Sequence, residues 1–443
     1  MKQLVSFVLL FAFVIAVPNI PGQTPADPQL AAAIERIKAI DNHAHPLRYV
    51  AAGEKPDTEF DALPLDAIGP MPLPVRLNPG NLEFVKAWRD LYGYKHDDMS
   101  EPHVRELLQT KVRVAGEQGE RFPAWALDQV GIETMFANRV AMGRGLVTPR
   151  FRWVSFVDAL IFPLSNQGAK SASSEYRAFY PLEESLLKRY VVNAGLEALP
   201  ITLDSYLAKV VTTTLESQKR DGAVAVKFEA AYLRKLDFDQ ADIGAARRIY
   251  ARYFRGGQPP AAEYKTLQDF LFRYVAREAG RLGLAVHIHA ISGAGAYYRQ
   301  SGSNPLLLES AFNDPSLRKT NFVIIHGGYP FTKETASLLS KPNVYADFSA
   351  QTFLIYPREL SEVLRNWLEA YPDKILFGTD AFSFGPEVEW PEVAWLSNNT
   401  ARRALSLALT GMMNDHEITR AHAVELARMV LRENAIRLYG LPR

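Results

Sequence analysis

The chain has 443 residues, 48% hydrophobic and 22% charged, with 50 Lys plus Arg against 49 Asp plus Glu. That composition belongs to a folded globular protein, excludes disorder and collagen-like repetition, and offers no broad field for nucleic acid or an anionic membrane, so a small molecule is the expected partner. The sequence has no cysteine, which excludes disulfides, thiolate ligands and a cysteine nucleophile, and leaves nitrogen and oxygen to hold any metal.

Met1-Lys2 gives a basic start, and Leu4 to Val17 is an apolar run suited to a signal-peptide core but short for a bilayer span. Residues 1–22 are therefore expected to be a signal peptide, cleaved after Ala16 or near Gly22. The mature protein is expected to be periplasmic or secreted, with no stable membrane insertion; an uncleaved anchor is the alternative. Pro18, Pro21 and Pro25 stop any helix continuing from the run.

Residues 30–443 read as one domain. Leu30, Ile34 and Ile37 recur at helical spacing and predict a helix over Pro28 to Ala39. The first strand follows near Ile40 to His45. Further short β-branched or aromatic runs predict strands at Glu133 to Ala137, Phe151 to Phe156, Ala223 to Phe228, Ala285 to His289, Phe322 to His326, Val344 to Asp347 and Ile375 to Gly378. Amphipathic stretches at Tyr264 to Leu282, Glu359 to Glu369 and Asn399 to Leu409 separate later strands. Strand–helix alternation implies parallel pairing through right-handed crossovers, and eight such units predict a TIM-like (β/α)8 barrel, an α/β fold. An open doubly wound sheet is the rival, but no glycine-rich phosphate loop follows the first strand.

Two intervals, 50–130 and 160–222, exceed a normal βα unit and are expected to be helical insertions over the barrel mouth. The first opens proline-rich and turns helical around Leu82 to Tyr92 and Glu101 to Glu117.

The chemistry gathers at strand ends. His43 and His45 are two residues apart, so an extended strand presents both imidazoles on one face, which is half a metal site. His287 and His289 end the fifth run, His326 the sixth, and Asp380 follows the eighth. The C-terminal ends of parallel barrel strands are where such a fold assembles its site. Lys227 closes the fourth run beside Glu229, with which a plain salt bridge is the simplest reading. Trp125, Trp153 and the Tyr297-Tyr298 pair are candidates for pocket lining, with core or lid packing favoured for most.

His-x-His on strand one, histidines closing strands five and six, and Gly378-Thr379-Asp380 closing strand eight resemble the amidohydrolase superfamily. The closest likeness is to its amidohydrolase-related branch, which takes in uronate isomerase-like proteins, metal-dependent decarboxylases and the amidohydrolase half of glutamine-synthetase-like fusions. Asn304-Pro305-Leu306-Leu307-Leu308, the Pro342 to Asp347 strand and the terminal Asn434 to Leu441 carry the likeness further, across most of residues 36–441. The resemblance implies metal ligands at His43, His45, His289 and Asp380, with Asp380 also taking a proton from the attacking water. It places His287 where glutamine often stands. It gives His326 a place near a second metal or, as favoured, against a substrate carbonyl. At Lys227 it implies either a carboxylated bridge between two metals or a contact to negative charge on the substrate. Tyr232 and Arg234 fall in a stretch where the family often has tyrosine followed by arginine; here Leu233 intervenes, and with His287 these residues are the expected substrate contacts.

The resulting expectation is an exported metal-dependent hydrolase holding one divalent ion, zinc by preference, and attacking an amide, lactone or related C–N or C–O bond. The catalytic set is Asp380, His326 and Lys227. A decarboxylase or sugar-acid isomerase on the same barrel is the alternative, and an exported binding protein without turnover is the third. A homo-oligomer is compatible with all three.

Overall fold

In a computed structural model describing residues 25–51, 53–64, 73–291 and 299–442, eight strands pair in chain order and all in parallel. They are β1 (Ala39–Ala44), β2 (Ile132–Arg139), β3 (Phe151–Phe156), β4 (Ala223–Phe228), β5 (Ala285–His289), β6 (Phe322–Ile325), β7 (Val344–Asp347) and β8 (Ile375–Leu376). The expected signal segment and the Tyr297-Tyr298 pair lie outside the described residues. Runs such as Ala-Val-Ala-Val in β4 and Phe-Val-Ile-Ile in β6 are almost wholly buried, as strands covered on both faces must be. Among the described residues, no helix is long and apolar enough to cross a membrane.

The seam between β8 and β1 closes the ring with isolated bonds rather than a regular ladder. Asn42 N–H donates to the Phe377 carbonyl (2.8 Å), Asp380 N–H to that of His43 (2.7 Å) and His45 N–H to that of Ala381 (2.8 Å). The Asp41 carboxylate reinforces it, accepting from Thr379 N–H at 2.9 Å and from the Thr379 hydroxyl at 2.5 Å. The chain is thus an α/β TIM-like barrel.

Inside the ring, Ile40, Phe136, Val154, Ala225, Ala285, Val323, Ile325 and Leu376 form a small apolar core, closed from below by Ala435 and Ile436 of the helix Asn434–Tyr439. The larger core lies between strands and outer helices, among them Ala261–Arg281, Pro357–Leu368 and Trp390–Asn414. The last is much longer than its sequence periodicity predicts. Its N-terminus carries a reciprocal cap between Glu389 and Glu392, a signal outside the apolar stripe. Two strand ends also retreat. β6 stops at Ile325 because His326 adopts φ +63°, and β8 keeps two residues because the seam bonds replace its ladder.

Both long intervals are largely helical where described. The first contains Glu83–Tyr92, Glu101–Gln118 and Phe122–Val130, and packs on the segment after β8 through Lys111, which reaches Glu392 (2.7 Å) and the Pro386 carbonyl. The second contains Ser174–Asn193, whose Tyr190 and Tyr180 hydroxyls donate to the Phe156 carbonyl at the end of β3 and the Leu233 carbonyl in the loop after β4. Both therefore sit at the C-terminal end of the barrel.

One buried ion pair anchors the chain just past His45. Arg139, fully buried at the end of β2, donates to both oxygens of Asp57 (2.8 and 2.9 Å) and to the Pro46 carbonyl. Burial alone would raise the Asp57 carboxyl, but the hydrogen bonds and charge of Arg139 more than offset it and hold it below the usual carboxylate range. Asp57→Ala strands a buried guanidinium and should cost about 3–5 kcal/mol in urea unfolding. The wild-type contribution should be fully present above the unfolded carboxylate pKa of about 3.9 and fade as acid takes the pH down through the lower folded value. At the seam, Thr379→Val removes the hydroxyl from buried Asp41 and should cost about 1–3 kcal/mol by the same measurement.

Candidate metal centre

Polar side chains from β1, β4, β5, β6 and β8 converge at the strands' C-terminal end, all buried except Asp380, which is slightly open. Asp380 is the hub. Its Oδ1 lies 3.2 Å from His43 Nε2 and 3.6 Å from His45 Nε2, and its Oδ2 lies 3.9 Å from His326 Nδ1. Lys227 Nζ approaches His43 Nε2 at 3.3 Å, and His326 Nε2 meets His289 Nδ1 at 3.1 Å. The Tyr232 ring stands 4.3 Å from that of His289, centre to centre.

The backbone is bent to make this possible. Asp380 and His326 both take left-handed φ, +55° and +63°, which L residues occupy at a cost of about 1–3 kcal/mol and which clusters at functional sites. Each is pinned: Asp380 by its N–H to the His43 carbonyl, His326 by its N–H to Asp347 Oδ1 (2.8 Å) and its carbonyl to Gln351 Nε2 (3.0 Å). Gly327 must follow, because a Cβ there would lie 2.6 Å from Gln351 Nε2 and 2.9 Å from the Asp347 carbonyl. In β1 the register with β2 shifts between Asp41 and Ala44, so neighbours Asn42 and His43 both face the barrel interior.

Burial and then neighbouring Lys227 hold the His43 imidazole well below its ordinary pKa; burial and then His289 do so for His326. Both rings are therefore neutral near pH 7, the form that binds metals. Burial pushes the Asp380 carboxyl up to about 7, with His45 and Lys227 pulling the other way.

Beneath this layer runs a hydrogen-bond chain. His287 Nε2 pairs with the Tyr439 hydroxyl (2.7 Å), which donates to Asn42 Oδ1; Asn42 Nδ2 donates to Asp347 Oδ2 (2.8 Å), and Asp347 Oδ1 accepts from the Ser349 hydroxyl (2.7 Å), which faces His326 Nδ1 at 2.9 Å. Burial, then Lys227, lowers His287 to about 3, so it too is neutral.

Beside the centre lies an acidic group. His45 Nδ1 is 3.1 Å from Asp61 Oδ2, Lys227 Nζ is 3.8 Å from Glu229 Oε1, and Glu229 N–H donates to Asp158 Oδ2 at 2.7 Å. Burial raises Asp158 to about 7 and lifts Glu229 and Glu183 well above the carboxylate range, with neighbouring carboxylates adding to it. Burial also opposes ionisation of Asp61, but His45 more than offsets it and leaves that carboxyl low.

Of the residues singled out from sequence, His43, His45, Asp380, Lys227, His289, His326 and Tyr232 come together. His287 sits in the layer below, against Tyr439. Arg234 is turned to Asp269 (2.7 Å) and Gln268 (2.9 Å), with Phe238 under its guanidinium. Sequence reasoning missed Asp61, Asp158 and Glu183, which arrive from loops and the second insertion, and Asp347–Ser349, whose strand end was recognised without its polar role.

The donor set fits a divalent metal. Ligand-type atoms of His43, His326 and Asp380 lie within 4.8 Å of one another. Neutral imidazoles with one carboxylate form the nitrogen–oxygen set that zinc accepts, with room for a fourth, exchangeable ligand.

Known proteins share this fold. The chain is 26% identical over 309 residues to Protein fluG of Emericella nidulans, an alignment covering 64% of this chain and 34% of that protein, so the chain spans about a third of the length of its curated relative. Among solved structures, a protein from Lactobacillus casei assigned as a metal-dependent hydrolase aligns with TM-score 0.56 at 16% identity, covering 93% of this chain and 97% of that one. The uronate isomerase of Thermotoga maritima (TM-score 0.55, 14% identity, 94% and 98% covered) and the glucuronate isomerase of Caulobacter crescentus (0.55, 14%, 95% and 96%) share the fold equally well. Residues 214–441, from the helix before β4 to the closing helix, match the family described as Amidohydrolase, and the chain belongs to that family.

Proposed function

We propose that the protein is a metal-dependent hydrolase of amide, lactone or related C–N or C–O bonds. The observation that carries this reading is the single Asp380 oxygen facing His43 Nε2 and His45 Nε2 at 3.2 and 3.6 Å. His43, His45 and Asp380 would hold one divalent ion, zinc by donor type, with His289 and His326 on its β5–β6 side. When bound, the ion supplies Lewis acidity and lowers the pKa of a water from 15.7 toward about 7.

The chain's own groups do the rest. Asp380, a carboxylate facing both His43 and His45, is placed to accept a proton from the attacking water and return it to the leaving group. Lys227, fully buried, places a positive charge where negative charge grows on a carbonyl oxygen. His326, oriented by Ser349 and Asp347, polarises that carbonyl. Tyr232, packed on His289, borders the substrate. The basic and apolar start of the chain supports export, and a mature N-terminus near Gly22 recovered from the periplasmic or secreted fraction would check it.

His43→Ala and Asp380→Ala should each lose at least about tenfold in zinc affinity, read by competition with a chromogenic chelator, while far-ultraviolet circular dichroism stays that of the folded barrel. His287→Gln should keep its zinc, since Tyr439 rather than the centre holds that ring. Turnover of a panel of lactones, amides and sugar acids in 18O-labelled water should place one label in the product carboxylate. Release of carbon dioxide or isomerisation without label would replace hydrolysis with a lyase or isomerase reaction.

A further inference from the structure

The acidic group beside the hub is more than that hub needs. A histidine ligand is commonly oriented by one carboxylate on its far nitrogen, and Asp61 Oδ2 lies 3.1 Å from His45 Nδ1, which makes no hydrogen bond among the described residues. Asp61 explains neither Glu229 nor the acids around it. Glu229 Oε2, Asp158 Oδ1 and both oxygens of Glu183 have no hydrogen-bond partner among the described residues, although these residues are 2%, 0% and 1% exposed. Lys227 brings one positive charge, shared with His43 at 3.3 Å.

Buried carboxylate oxygens without donors are costly, and a small cation satisfies several at once. The geometry offers a place: ligand-type atoms of His45, Asp61 and Glu229 all lie within 4.8 Å of one another, as a separate cluster from His43, His326 and Asp380. Three chain segments deliver it, the loop inside the first insertion, the turn after β4 and the end of β1, and the helix Ser174–Asn193 of the second insertion adds Glu183. We propose that Asp61 and Glu229, with His45 at the edge and Glu183 and Asp158 beside them, bind a second divalent cation distinct from the one at Asp380. The donors are mostly carboxylate oxygen, so the cation is a hard one, of the Mg2+, Mn2+ or Ca2+ class, where the histidine-rich centre prefers zinc. A cation here joins both insertions to the barrel mouth.

The proposal shares His45 with the hydrolase reading's metal centre but none of its chemistry, and is tested by binding. Purified full-length protein carrying one equivalent of zinc is titrated with MnCl2, and free Mn2+ is followed by its electron paramagnetic resonance signal, with melting temperature in parallel. Wild type should remove one equivalent of Mn2+ and melt higher with it. Glu229→Gln and Glu183→Gln, which keep side-chain shape, should bind Mn2+ at least about tenfold more weakly while retaining zinc. Asp380→Asn should do the reverse, losing zinc while keeping Mn2+; zinc retained by that variant counts against the first site and leaves the second standing. Failure of wild type to take up Mn2+ at millimolar concentration overturns the proposal without any variant having to fold, and so does unchanged uptake by Glu229→Gln.

Discussion

The closing of the ring between β8 and β1 is the constraint on which the site depends. His43 and Asp380 come from opposite ends of the sequence, and the same main-chain bond that closes the seam, Asp380 N–H to the His43 carbonyl, sets their side chains 3.2 Å apart. A regular ladder would not do this, because it would keep residue 380 extended and aim its carboxylate elsewhere. The left-handed turn at Asp380 costs energy, and Asp41 contributes toward it by gripping the Thr379 backbone and hydroxyl one residue earlier. Barrel closure and ligand placement are therefore one structural event.

A second event fixes the other side of the centre. The terminal helix plugs the barrel with Ala435 and Ile436 and sends the Tyr439 hydroxyl up into the ring, where it joins His287 to Asn42 and, through Asp347 and Ser349, to His326. Because every member of this chain but the half-buried Tyr439 is buried, breaking one link leaves its neighbour without a partner in a low-dielectric interior, where that loss is largest. The C-terminal residues thus bear on the orientation of a ring more than a hundred positions earlier. His287 belongs to this scaffold, which accounts for a strand carrying two histidines when only His289 reaches the centre.

Much of this was legible in the sequence because strand signals are local. The runs at β3, β4, β5 and β7 each open within two residues of a Gly or Pro, and their limits match the structure residue for residue. The strand-end polar residues followed from the same pattern, since a barrel exposes its chemistry where apolar runs stop. The ends of β6 and β8 were misjudged for a physical reason: left-handed φ at His326 and Asp380 is imposed by tertiary hydrogen bonds to Asp347 and His43, which no window of neighbouring residues reveals. Spacing placed His43 and His45 on one face, and both do reach Asp380, yet the register shift in β1 turns Asn42 inward as well, against simple alternation. Asp61, Asp158 and Glu183 carry no local signal at all. Each is an ordinary acid in a loop or an amphipathic helix until the fold buries it.

That contrast separates the two halves of the mouth. The β1, β5, β6 and β8 side is built from strand ends and is rich in neutral imidazole, with each side chain's backbone tied into the sheet or its seam. The β3–β4 side is built from insertions, is rich in carboxylate, and owes its shape to contacts such as Tyr190 with the Phe156 carbonyl and Arg139 with Asp57. Carboxylates crowded in low dielectric repel one another and resist ionising, and that repulsion acts directly between Asp158, Glu183 and Glu229.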